Sequence, residues 1–139
     1  MRSLGLAISY LFFAASAQAQ VLTIPQRTTH LTPIQGKITE VRQVRVPRGD
    51  AVTGAETRVT LQFRLAGCLD SLMPLVSHYE VREGDVSIYV TALNAHNEAS
   101  RVALCAAMPS ASARVSVPGV FQPNQIRMVF LGNPPQSRS

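Results

Sequence analysis

From Lys37 onward the apolar positions of the chain recur at every second residue. Val59, Leu61, Phe63 and Leu65 fall on one side of an extended segment, and Arg58, Thr60, Gln62 and Arg64 on the other. Strict alternation over eight residues is the mark of a strand with one face buried and one solvated. Val86, Ile88, Val90 and Ala92 repeat the period against Ser87, Tyr89, Thr91 and Leu93. Both faces are partly apolar there, which suits a central strand covered on two sides. Weaker alternation marks strands at Ile38–Val46, Ser77–Arg82, Arg101–Ala107, Ala113–Val117 and Ile126–Leu131. Between Ile38 and Val44 the apolar phase slips, so a bulge is expected near Val41.

Turn residues separate these segments. Pro47-Arg48-Gly49-Asp50, Gly67, Glu83-Gly84-Asp85, Asn94 to Asn97, Pro109, Pro118-Gly119 and Pro123-Asn124 each interrupt the pattern. A helical turn fits only at Leu69–Val76, where Pro74 limits it. About seven strands at roughly 8–12-residue spacing predict an all-β domain, an antiparallel β-sandwich of immunoglobulin-like architecture. A small closed β-barrel is the alternative. The chain has no Trp, so the buried Trp of a true immunoglobulin domain is missing.

The start of the chain follows another pattern. Met1-Arg2 is positive, Leu4 to Ala17 is apolar, and Ala17-Gln18-Ala19 supplies small residues before Gln20. This is the layout of a secretory signal peptide over residues 1–19, with cleavage after Ala19. The apolar run falls short of the roughly 20 residues of a spanning helix, so no membrane span is expected. Residues 20–36 then form an arm. Val21, Leu22, Ile24, Leu31 and Ile34 give it apolar character, while Pro25 and Pro33 restrict it to an edge position. The β domain covers residues 37–131, and residues 132–139 are expected to be a disordered tail.

Export, to a periplasm or beyond the cell, changes how the cysteines read. Cys68 and Cys105 are the only two, and an oxidising compartment favours one intramolecular disulfide. Cys105 is expected within a strand, so that the bridge would link two sheets. The chain lacks the C-x-x-C spacing of a redox pair.

Loss of Arg2 with the leader takes the basic count from 13 to 12 against 8 acids, and the net charge from +5 to +4. All the remaining basic residues except Lys37 are Arg. Arg58, Gln62 and Arg64 share the polar face of one strand. If Ile38–Val46 pairs beside it, Arg45 and Gln43 join that face. Arg45, Arg58, Gln62 and Arg64 are therefore the candidate face for an anionic ligand, since Arg forks onto carboxylate and phosphate. No aromatic residue interleaves with them, so the stacking platform of a nucleic-acid binder is missing and no nucleic-acid partner is expected.

Other chemistries find less. His30, His78 and His96 stand in separate segments, with none at metal-ligand spacing. Cys105-Ala-Ala-Met108 has no neighbouring His to complete a copper site. No metal and no cofactor are expected. A G-x-S-x-G nucleophile elbow is absent, and Glu83 and Asp85 flank a turn where acids serve as solvating residues. Arg48-Gly49-Asp50 is a candidate adhesion loop, although Gly-Asp is also ordinary turn chemistry. The sequence thus reads as an exported, non-catalytic binding or interaction domain. Its partner would be a protein or an anionic envelope component. The alternative is a structural subunit of a surface or envelope complex that assembles through edge strands and the 20–36 arm. A small secreted enzyme comes third.

Overall fold

The computed structural model describes residues 22–48 and 52–132. The leader, the Gly49–Asp50 part of the adhesion tripeptide and the tail beyond Gly132 lie outside them. The described residues form an all-β fold of nine strands in three open sheets. Strand β1 (Thr28–Pro33) pairs with β7 (Leu93–Asn97), which also pairs with the two-residue β4 (Ser71–Leu72). Strand β2 (Gly36–Arg48) forms a long hairpin with β3 (Val52–Arg64), and β3 pairs on its other side with β8 (Ser110–Pro118). Strand β5 (Val76–Arg82) forms a hairpin with β6 (Asp85–Thr91), and β6 pairs with β9 (Ile126–Phe130). None of the sheets closes, so the barrel alternative does not form. The β6–β9 pair is parallel, which departs from the all-antiparallel expectation.

The period-two pattern produces the core directly. Val59, Leu61 and Phe63 of β3, with Val115 and Val117 of β8, turn inward from one sheet. Val86, Ile88 and Val90 of β6, followed by Ala92, enter the same cluster from another. Phe63 meets Phe130 of β9 edge to face, with ring centroids 5.9 Å apart. Fully burying each large apolar side chain contributes about 1.5–3 kcal/mol relative to leaving it in water. These alternating positions are therefore what holds the sheets together. The β5–β6 turn is a two-residue connection in which Glu83 and Gly84 both have positive φ, the geometry that matches the twist of a hairpin.

Several segments depart from the sequence pattern. Arg101–Ala107 is not a strand. The chain forms a 3-10 helix at Glu98–Arg101, capped by the Asn97 side chain on Ala99 N–H, and then runs irregularly to β8. Val102 and Leu104 are exposed there because no neighbouring strand offers a face for their alternation to bury. Asn94–Asn97 is the end of β7 and not a turn, and Asn94 is fully buried. Leu69–Val76 holds β4 in place of a helical turn. Part of the arm is β1, which lies along its own β7, and Ile34 packs against the core.

The disulfide between Cys68 and Cys105 forms, with Cα atoms 5.9 Å apart, inside the range the bond requires. It does not link two sheets. It joins the loop after β3 to the irregular segment before β8, close to where Leu65 N–H donates to Pro109 C=O. The bridge is compatible with an exported protein. No helix among the described residues is long and apolar enough to cross a membrane.

Candidate functional site

The register of the β2–β3–β8 sheet decides which cations share a face. Directly opposed residues in antiparallel strands project to the same side. Arg58 lies opposite Arg42 on β2 and Ser116 on β8. Thr60 lies opposite Glu40 and Arg114, and Gln62 opposite Lys37 and Ser112. The outward face therefore presents Lys37, Arg42, Arg58, Arg64 and Arg114, with Glu40 and Glu56 as its acids. Arg58, Gln62 and Arg64 stand where the sequence put them. Arg45 does not: it opposes Ala55, on the side of the buried Thr57, and neighbouring Gln43 donates to the Phe121 carbonyl on that side.

The misplacement has a definite cause. Register slips between Ile38 and Glu40, so the bulge sits at Thr39, two residues before the expected Val41. It lets Ile38 point inward opposite Leu61 while Arg42 points outward opposite Arg58. Val44 and Val46, opposite Glu56 and Gly54, then lie on the outward face. Their apolar character suggested the reverse assignment. The bulge sets the register here, where backbone geometry overrides a weak apolar pattern.

The two acids are already engaged. Glu40 accepts from Arg42 at 2.9 Å and Glu56 from Arg58 at 2.6 Å, each two residues away along the same strand. Among the described residues, Lys37, Arg64 and Arg114 have no carboxylate partner. Gln35, Lys37, Gln62, Arg64, Met108 and Ser110 line an open depression of about 400 Å³. Arg42, Arg58 and Arg114 meet around a smaller one of about 40 Å³. The arrangement offers fixed positive charge and amide and hydroxyl groups on a rigid sheet. Of the adhesion tripeptide, Arg48 ends β2 at the tip of the hairpin, and Gly49 and Asp50 lie outside the described residues.

A second constellation surrounds Asp70. The Gly67–Asp70 turn, closed by Asp70 N–H to Gly67 C=O at 3.1 Å, carries the carboxylate inward until its side chain is 0 % exposed. Asn94 Nδ2 donates to Oδ2 at 2.8 Å, and His96 Nδ1 stands 3.0 Å from the same oxygen. The Asn97 amide and the Ser100 hydroxyl donate to Oδ1 at 3.0 and 2.7 Å. Burial by itself would raise the Asp70 pKa. The hydrogen bonds from Asn94, the Asn97 backbone, His96 and Ser100 outweigh it and hold the group ionised well below the usual carboxylate range.

Asp, His and Ser meet here, but their connections are not those of a nucleophile relay. Ser100 Oγ donates to the carboxylate and accepts from Leu69 N–H, whereas a triad needs the hydroxyl on the far nitrogen of the imidazole. Asp70 acts as a buried fastener between the loop carrying Cys68 and the β7–Ser100 segment. None of this shows in the spacing of the sequence. The available signal was a run of polar residues, Asn94, His96, Asn97 and Ser100, whose only apolar alternates were Ala.

The histidines are not all apart. His30 on β1 lies directly opposite His96 on β7, with ring centroids 4.8 Å apart. His78 stacks on Tyr89 across the β5–β6 hairpin, with ring centroids 4.7 Å apart and planes 8° apart. Among the described residues, no group of three or more His, Cys, Asp or Glu side chains is placed to hold a metal ion. The chain matches no known protein family, no curated protein and no solved structure.

Proposed function

We propose that this is an exported, non-catalytic binding domain that engages an anionic envelope polymer through the outward face of its β2–β3–β8 sheet. One observation carries the reading: among the described residues Lys37, Arg64 and Arg114 share that face without a carboxylate partner, and two of them line an open depression on it. Arg contacts carboxylate or phosphate in a bidentate fork. A sheet that holds such groups at fixed spacing suits a repeating anion better than a single small one. The fold is read as a β-sandwich, immunoglobulin-like in having two layers about one core. The parallel β6–β9 pair gives it a mixed second layer.

The assembly alternative finds less support. Strand β1 occupies the edge of its own β7, as expected of an arm that shields an edge and does not donate itself.

The test is binding to immobilised polygalacturonate or polyphosphate with charge-reversed variants. Arg64→Glu together with Arg114→Glu should weaken binding by at least tenfold at 50 mM salt and leave the melting temperature within 2 °C. Arg45→Glu together with Arg127→Glu changes the net charge by the same amount away from that face and should have a much smaller effect. Equal losses in both variants would mean that net charge alone drives the association, and the face would have no special role. Binding through exposed charge should also fall steeply toward 1 M salt, where the screening length is about 3 Å.

A further inference from the structure

We propose that His30 and His96 form a two-histidine site for a late transition-metal dication, Cu2+ above all, with Asp70 as the orienting carboxylate. The first support is register. His30 and His96 are directly opposed in the β1–β7 pair, so both imidazoles rise from the same face of the ladder, and their ring centroids are 4.8 Å apart with planes inclined at 35°.

The second support is the placement of protons. Asp70 already accepts from Asn94 Nδ2, the Asn97 amide and Ser100 Oγ, so its carboxylate is an acceptor toward His96 as well, and the His96 nitrogen beside it, Nδ1, carries the hydrogen. His96 Nε2 is then the nitrogen with a free lone pair. The Thr29 hydroxyl lies 2.9 Å from His30 Nδ1 and 3.4 Å from the His96 carbonyl oxygen. His30 is exposed, and its tautomer with the hydrogen on Nδ1, donated to Thr29 Oγ1, presents Nε2 as a lone pair. A buried carboxylate behind a ligating imidazole fixes the tautomer and strengthens the donor, the recurrent arrangement of metal-binding histidines.

The third support is access. His96 keeps 20 % of its side-chain surface and His30 is exposed, so an ion can arrive with its water. Two Nε2 atoms bound to one ion at about 2.0–2.1 Å stand about 3 Å apart at a right angle. His30 is the exposed partner, so its ring is the one with room to turn toward that separation while His96 stays on Asp70. The other charges close by are Arg27 and Glu98, and they neutralise each other in an ion pair of 3.0 Å. Among the described residues no third protein ligand joins the pair, so water completes the coordination. Imidazole with water in a tetragonal set suits Cu2+ and Ni2+, with Cu2+ the tightest of the divalent series and Ca2+ and Mg2+ excluded. Bound metal would clip β1 to β7 and stabilise the arm by mass action.

The experiment is Cu2+ titration of the untagged, disulfide-intact protein at pH 7.5 by calorimetry, with the electron paramagnetic resonance spectrum recorded at one equivalent. One equivalent should bind with nitrogen hyperfine structure from imidazole and raise the melting temperature. His30→Gln, a change at an exposed position, should leave the metal-free melting temperature unaltered. It should weaken Cu2+ binding at least about tenfold, no less than removal of an orienting partner does. His78→Gln should bind Cu2+ as the native protein does. Undiminished binding in His30→Gln, loss of binding in His78→Gln, or no stoichiometric binding by the native protein would each overturn the proposal.

Discussion

Replacing Asp70 with Asn removes one negative charge and changes no volume, yet it should be among the most damaging single substitutions in the molecule. Each carboxylate oxygen accepts from two donors: Asn94 Nδ2 and His96 Nδ1 on one, Asn97 N–H and Ser100 Oγ on the other. An amide has one oxygen. Whichever way Asn is turned, its NH2 group faces two groups that also donate, in a site where the side chain has no exposed surface. A hydrogen bond to a charged acceptor contributes about 1.5–3 kcal/mol, and an orphaned buried donor costs about 1–3 kcal/mol. Ser100 can turn to accept from the amide, so the loss does not reach two full charged bonds and settles at about 3 kcal/mol. For a domain near 110 residues that is a fall of roughly 10–15 °C in melting temperature.

The assay is urea unfolding at a series of pH values with the disulfide intact. The sign of the pH dependence follows from the direction of the shift. Asp70 is held below its ordinary value of 3.8 in the folded state, so its contribution is fully present above that value and is lost as pH falls through the folded pKa. The difference between native protein and variant should therefore be constant from pH 5 to 8 and shrink below about pH 4. A variant within about 0.5 kcal/mol of the native protein at pH 7, or a difference that persists unchanged to pH 2, would refute the description of Asp70 as an ionised fastener.

Three further outcomes follow from the same packing. Thr57 is fully buried; its hydroxyl donates to Gly119 C=O at 2.8 Å and accepts from Phe121 N–H at 3.0 Å. Thr57→Val should thus cost about 1–3 kcal/mol in urea unfolding although its shape is conserved. Replacing Cys68 and Cys105 together with Ala opens a loop with a sequence separation of 37 and should cost about 4 kcal/mol, read from the denaturation midpoint. Gly67→Ala places a Cβ 2.6 Å from Asp70 Oδ1 and 2.7 Å from Ser100 Oγ. Both atoms are held by the Asp70 network, so the melting temperature should fall by several degrees, whereas Gly84→Ala, with its nearest neighbour at 3.9 Å, should show only the strain of its positive φ.

The strongest alternation in the chain translated directly into structure. Positions 58–65 and 86–92 place inward and outward residues as their period dictates, because both segments lie in the middle of sheets where burial on one face dominates. Legibility failed where another force set the geometry. At 101–107 the alternation of Val102 and Leu104 had no partner strand, and the chain there is governed by the Asn97 cap and the disulfide. At 38–46 a single extra residue, Thr39, moved Arg42 onto the cationic face and Arg45 off it. The parallel β6–β9 pair joins residues 40 positions apart, as Val86 with Ile126, and leaves no local mark. The Asp70 network was equally hidden, since its members come from a turn, a strand and a 3-10 helix separated by up to 30 residues.

Under the proposed function a face, and not the net charge, binds the anion. Amide and arginine side-chain chemical shifts of the disulfide-intact protein, followed during titration with short polygalacturonate oligomers, distinguish the two. The largest shifts should fall at Lys37, Arg64, Ser112 and Arg114, with Arg45, Arg82 and Arg127 nearly unmoved. Shifts spread evenly over every arginine of the surface, or confined to the β5–β6–β9 sheet, would contradict it.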